Sequence, residues 1–140
     1  MAVVIQKMID SRVSGIVYTA HPVTRDKNQM IIEAGLGLGK AIVEGDILPD
    51  TYTVQKDPYE VLSKNIKIQT MKLDVERESG ITSRKVSSNQ GKNQKLTDDQ
   101  IKKLTKLCIS VEEYFKTPVS IEWTFEEQFF ILQAREMTEL

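Results

Sequence analysis

With 140 residues, 40% of them apolar and 28% charged, the chain is sized for one domain with its own core and is too short for two. Nineteen basic residues against twenty acidic ones leave a net charge of −1, so no overall field marks it as a partner of nucleic acid or of an anionic membrane. Cys108 is the only cysteine, which excludes an intrachain disulfide. Together with the absence of a leader pattern and of a membrane-length apolar run, it leads us to expect a soluble, cytoplasmic protein.

In chain order, AVVIQKM (2–8) and GIVYTA (15–20) are β-branched and apolar, and the turn-forming DSRVS between them predicts two strands. The polar HPVTRDKNQ follows, and then a third strand, MIIEAG (30–35). GLGLGKAIVEGD (35–46) sets three glycines before a short helical run, Ala41 to Glu44, so a short helix is expected over about 38–44. TYTVQK (51–56) alternates as a strand, and VLSKNIKIQTMKLDVER (61–77) reads as two strands with one wet side. Residues 79–95 are rich in Ser, Asn, Gln, Gly and Lys and predict a mobile loop. The cluster SRKVSSNQGKNQK within them carries four positive charges and reads as a solvated surface.

TDDQ (97–100) has the form of a capping box and opens a long helix over about 97–115. Ile101, Leu104, Leu107, Cys108, Val111 and Phe115 recur on one face at the helical period. Pro118 ends the connection and leads into a closing hairpin. The fold class expected is α+β, a single domain over 1–140 in which a mainly antiparallel sheet packs against the long helix.

The hairpin, VSIEWTFEEQFFILQAR (119–135), carries an acid, an amide and a guanidinium among apolar residues. An even-numbered turn between 125 and 130 sets Glu122 opposite Gln133 and Ser120 opposite Arg135, all on one face. Ile121, Trp123, Phe130 and Leu132 then point into the core. A carboxylate and an amide oxygen are hard ligands of the kind Mg²⁺ takes beside phosphate oxygens, and a guanidinium along the same strand pairs with phosphates. The alternative is an exposed hairpin with a diagonal Glu122–Arg135 ion pair. GLGLGK fits neither the dinucleotide fingerprint nor the Walker pattern. His21 has no second His or Cys near it and is not read as a metal ligand or a base.

Taken together, VVIQKMIDSRVSGIVYTAHPVT, IIEAGLGLGKAIVEGDILPDTYTV and SIEWTFEEQFFILQAR resemble, in that order, the nucleotide-binding domain of the phosphoenolpyruvate synthase (pyruvate, water dikinase) family. That family includes pyruvate phosphate dikinase and rifampicin phosphotransferase. The resemblance covers the chain apart from 79–95, and it implies an ATP-grasp fold, in which ATP lies between two lobes. Only the C-terminal lobe has a counterpart here. By resemblance, Gln6, Lys7 and Met8 form the hinge beside adenine, Glu122 and Gln133 match the magnesium-binding pair, and Arg135 is the catalytic arginine that meets the phosphates.

The resemblance implies ATP and Mg²⁺ as cofactors and a role as the ATP-binding part of a phosphotransferase. That enzyme converts ATP, pyruvate and water to phosphoenolpyruvate, AMP and phosphate through a phosphohistidine on another domain. The implied partners are the nucleotide, the N-terminal lobe and the phosphohistidine domain, in cis or in trans. Alternatives are a non-catalytic fragment, a subunit of a split enzyme, or a related dikinase or rifampicin phosphotransferase. The chain departs from the family pattern at Glu136 (usually Pro), Lys40 (usually Glu) and Arg25 (usually Gly). His21 stands where the family shows Asn or Asp, so it is not the carrier histidine.

Overall fold

The computed structural model describes residues 1–138, so the expected domain end at 140 lies outside the described residues. The elements in order are β1 (Val13–Tyr18), β2 (Gln29–Leu36), α1 (Lys40–Val43), β3 (Asp50–Gln55), β4 (Glu60–Asn65), β5 (Met71–Glu76), β6 (Gly80–Lys85), α2 (Ser88–Lys92), α3 (Asp98–Phe115), β7 (Val119–Phe125) and β8 (Phe129–Glu136). Six strands form one antiparallel sheet in the order β4-β3-β2-β1-β7-β8, and β5 and β6 make a separate two-stranded ribbon. The class is α+β, as the sequence led us to expect.

Strand parity decides which side of the six-stranded sheet is core. Val13 and Val17 of β1, Met30, Ile32 and Ala34 of β2, and Tyr52 and Val54 of β3 share one face with Val119, Ile121 and Trp123 of β7. α3 covers that face with Ile101, Leu104 and Cys108, all fully buried, while Val111 and Phe115 pack at its margin. The helix starts where the sequence places it. Thr97 Oγ1 accepts from Gln100 N, and the Gln100 side-chain oxygen accepts from Thr97 N at 2.8 Å. Asp98 and Asp99 add negative charge to the first turn, and Lys116, left-handed at φ 60°, closes the end.

The fit under the sheet explains Gly15. A Cβ there would lie 1.8 Å from the Glu33 carbonyl oxygen and 3.0 Å from the Trp123 ring, so no larger residue fits without moving backbone. A second fixed point is an ion pair shut off from water. Lys95 Nζ lies 3.1 Å from Asp50 Oδ1, the two side chains being 1% and 0% exposed. The ammonium also donates to the Lys67 and Gly91 carbonyls. Asp50 accepts from Lys67 N, Lys95 N and the Tyr52 hydroxyl. Burial, and then the Asp50 carboxylate, pushes the Tyr52 phenol far up. These bonds tie β3 to the segment between β4 and β5 and to the entry of α3.

Two expectations are corrected. Residues 2–8 form no strand: the segment before Ser11 is almost wholly exposed, with Val3, Val4 and Ile5 at 80%, 84% and 96%. A β-branched run becomes a strand only against a neighbouring strand, and none in the described residues pairs with it. The stretch 79–95, expected as a loop, carries β6, α2 and the buried Lys95. Its polar residues have partners that composition does not reveal. Arg84 reaches Asp74 and Glu76 across the ribbon, Ser87 caps α2 by accepting from Gln90 N, and Gly91 packs where a Cβ would sit 2.0 Å from the Gln69 carbonyl. No helix among the described residues is long and apolar enough to cross a membrane.

Candidate nucleotide site

The face of the sheet away from α3 is built from the alternate residues. One row crosses it as Thr51, Glu33, Ile16, Glu122 and Gln133, and the next as Thr53, Ile31, Tyr18, Ser120 and Arg135. Glu122 is therefore opposite Gln133, and Ser120 opposite Arg135, as expected, but not by the expected route. The turn is Glu126–Gln128, an odd three residues, and Phe125 pairs with Phe129. A bulge at Leu132 absorbs the difference, since Trp123 faces Ile131 while Glu122 faces Gln133.

The bulge also corrects the expected core. Phe129 and Ile131 pack against it in place of Phe130 and Leu132. Trp123 meets Phe129 edge-on, 5.6 Å between ring centres. Leu132, displaced to the other side, lines a pocket with Glu122.

Glu122 and Gln133 are half-buried and Arg135 is exposed. The diagonal Glu122–Arg135 ion pair, the alternative reading, is not formed. Arg135 turns to Gln133 instead. With its oxygen toward the guanidinium, the Gln133 amide accepts from Arg135 Nε and Nη2 at 2.5 and 2.9 Å. A guanidinium has only donors, so it orients that amide oxygen first. Among the described residues the Glu122 carboxylate has no ion-pair partner.

Opposite this pair stands α1, placed over the sheet by the glycine-rich turn. Gly37, at φ 86°, brings the chain so close to the ribbon that a Cβ would lie 2.4 Å from the Leu73 carbonyl. Leu38 N donates to that carbonyl at 2.8 Å, and Ser14 Oγ donates to the Gly37 carbonyl. Gln69 completes the clamp: its amide oxygen accepts from Leu36 N, and its amide nitrogen donates to the Leu36 and Met71 carbonyls. Between α1 and the β7–β8 bulge lies a pocket of about 250 Å³, lined by Gly39, Lys40, Val43, Glu122 and Leu132 among others. Lys40 and Glu44 on its rim are half-exposed and 3.8 Å apart, a pair of little weight for stability.

A larger cleft of about 380 Å³ lies between residues 10–12 and the ribbon. Asp74 there already holds Lys72 at 2.8 Å and Arg84 at 3.7 Å. With Asp74 already paired to both Lys72 and Arg84, this cleft is the weaker candidate despite its size. Gln6, Lys7 and Met8 lie on the exposed leading segment, and none lines the pocket beside Glu122. The described residues thus bring Glu122, Gln133 and Arg135 together and leave the three hinge residues apart.

The sequence reading missed Glu33 and Gln69. Glu33 shares the row of Glu122, and burial raises its carboxyl above the ordinary value. Burial, and then Glu33, raises the Tyr18 phenol. A lone acid inside MIIEAG was the available signal for Glu33. Gln69 had none, because its role depends on a turn far away in sequence.

Among the described residues no cluster of three His, Cys, Asp or Glu side chains is placed to share a metal ion. The set at hand is one carboxylate and one amide oxygen. That set does not suit a closed zinc site, and it does suit a hard cation that takes its other ligands from phosphate and water.

The family described as "Pyruvate phosphate dikinase, AMP/ATP-binding domain" matches residues 1–140. The chain is 36% identical to a probable phosphoenolpyruvate synthase of Methanocaldococcus jannaschii, over all of this chain and 12% of that protein. It is 35% identical to the rifampicin phosphotransferase of Bacillus subtilis, over all of this chain and 16% of that protein. Identity to the phosphoenolpyruvate synthase of Pyrococcus furiosus is 35%, over all of this chain and 18% of that protein. The chain therefore spans less than a fifth of the length of these curated relatives. With a match from end to end and an acid, amide and arginine gathered on one sheet face, the chain belongs to the pyruvate phosphate dikinase AMP/ATP-binding domain family.

Proposed function

We propose that this chain is the lobe that holds a magnesium–nucleotide complex in a phosphoenolpyruvate synthase-like phosphotransferase. It acts as one domain, the C-terminal half of an ATP-grasp cleft, in the cytoplasm. The observation that carries this reading is the Glu122–Gln133 pair, which among the described residues meets no cation but Arg135, on the sheet face away from α3 in a chain that belongs to an AMP/ATP-binding family. The Glu122 carboxylate and the Gln133 amide oxygen would hold Mg²⁺. When bound, the ion neutralises phosphate charge and aligns the transferred group.

Each residue then has a separate task. Arg135 binds phosphate oxygens through its donor fork and stabilises charge as it builds on the transferred group. The pocket between α1 and Leu132 takes the nucleoside and shields it from water. Gln6, Lys7 and Met8 meet adenine through backbone groups once the segment has a second lobe to pack on. That lobe and a phosphohistidine domain supply the rest of the cleft and the acceptor. Pyruvate is the final acceptor in this reading. A second reading, in which the same lobe serves an antibiotic phosphotransferase, draws on the 35% identity to the rifampicin enzyme.

Calorimetric titration of the chain with ATP, with and without Mg²⁺, tests the proposal. Mg²⁺ should tighten binding, and Glu122→Gln should remove about tenfold or more of that gain, because one anionic ligand is lost. Equal affinity with and without Mg²⁺, unchanged in the variant, would refute it.

A further inference from the structure

The way α1 is seated on the sheet decides which side chains it gives to the pocket beside Glu122. Ala41 and Ile42 are buried, at 1% and 8% exposure. Gly35 of β2 makes room beneath them: a Cβ there would lie 3.1 Å from Ile42 Cδ1 and 2.9 Å from Ile47 Cδ1. Backbone bonds fix the turn. Glu44 N donates to the Lys40 carbonyl at 2.9 Å, Gly45 turns left-handed at φ 77°, and Asp46 N donates back to the Ala41 carbonyl at 2.9 Å. With Ala41 and Ile42 buried, Lys40, Val43 and Glu44 line the pocket of about 250 Å³ that Glu122 and Leu132 line from the strand side.

These side chains differ in what they can bind. Val43, 55% exposed, and Leu132 are apolar walls. Glu44 is a carboxylate and offers acceptor sites only. Its one ion-pair partner among the described residues is Lys40, and at 3.8 Å that ammonium is beyond hydrogen-bond reach. Glu44 is therefore matched to a ligand group that donates. A phosphate oxygen brings acceptors and like charge, and does not match. Lys40, on the same rim, offsets the repulsion that Glu44 would exert on an anionic ligand.

The order of groups along a nucleotide supplies the rest. Where phosphates meet a cation at Glu122, the next group along the molecule is the sugar. Glu122 and Glu44 line one pocket, and ribose carries two vicinal hydroxyls that can donate to one carboxylate. We propose that Glu44 is a specificity-determining residue that accepts hydrogen bonds from the ribose hydroxyls, so that the site prefers a ribonucleotide to its 2′-deoxy counterpart. The proposal rests on the magnesium–nucleotide reading above and deepens it. The base then lies against Val43 and Leu132.

Titration of the whole chain with ATP, dATP and inorganic tripolyphosphate, each with Mg²⁺ and followed by amide NMR, tests the proposal. The wild type should bind ATP about five- to tenfold tighter than dATP, the scale of one hydrogen bond to a half-exposed charged group. Glu44→Ala should bring ATP down to the level of dATP and should not weaken dATP or tripolyphosphate. Glu44→Gln should keep part of the preference, because an amide oxygen still accepts. Equal affinity of the wild type for ATP and dATP, or the same preference in Glu44→Ala, would overturn the ribose role. Either result leaves the nucleotide reading intact as long as Mg²⁺ still tightens ATP binding through Glu122. Absence of Mg²⁺-dependent binding for all three probes would overturn the nucleotide reading and this proposal together.

Discussion

Glu122 and Trp123 are neighbours in sequence on opposite sides of the sheet, because successive side chains on a strand face opposite ways. Trp123 is 0% exposed, and its indole N–H has no hydrogen-bond partner among the described residues. Trp123→Ala should cost roughly 3–5 kcal/mol in urea unfolding. Trp123→Phe should cost far less, since no acceptor is left stranded. Glu122→Gln should change stability by only about 0–1 kcal/mol, as no ion pair is broken. An equal loss in Glu122→Gln and Trp123→Ala would show that the acid is structural.

Glu33 behaves differently. Burial raises its carboxyl above the ordinary 4.5, so the folded chain holds that proton more tightly than the unfolded one. Its favourable contribution is complete below the unfolded value and is lost as pH rises through the folded one. At about pH 7, therefore, the ionised side chain weakens the fold. Glu33→Gln should raise the melting temperature there, and the gain should shrink as pH falls toward 4.5. A variant that melts lower than the wild type at neutral pH would mean that Glu33 has a stabilising partner.

At the scale of elements, the ion pair between Asp50 and Lys95 locks the outer strands to the helical layer. Lys95→Ala leaves a carboxylate buried with only N–H and hydroxyl donors, and it should cost roughly 3–5 kcal/mol in denaturant unfolding. A cost under about 1 kcal/mol would show that water enters to replace the ammonium. Lys95 also marks a limit of sequence reading. It closes a run of Ser, Asn, Gln and Lys that reads as solvated loop, and its partner Asp50 lies in a strand far upstream.

α3 was legible because everything that specifies it is local: the Thr97–Gln100 box, the two acids and the apolar period. Glu122 was paired with Gln133 on the expectation of an even turn, which the structure does not have; only the side of the sheet that Glu122 takes was legible from alternation. The bulge at Leu132 was not, since FEEQFF offers no glycine to mark a three-residue turn, and the ring packing of Trp123 on Phe129 decides where the extra residue goes. Residues 2–8 have strand chemistry without a strand, because a strand depends on a neighbour as much as on its own residues.

Across the whole molecule, one face of the six-stranded sheet is closed by α3, and the other carries α1 at one end and Arg135 at the other. The closed face holds the apolar core, and the other holds Glu33 and Glu122, which form no ion pair among the described residues. The central claim is that nucleotide and metal meet that face at the β7–β8 pair. Replacing Mg²⁺ by paramagnetic Mn²⁺ in the presence of ATP, and following backbone amide signals by NMR, tests it most directly, because broadening reports proximity to the ion. The account predicts that signals of Glu122 and Gln133 and of their strand neighbours broaden first, while the ribbon of β5 and β6 stays sharp. Broadening centred instead on the cleft between Asp10 and Asp74, with β7 and β8 unaffected, would contradict it.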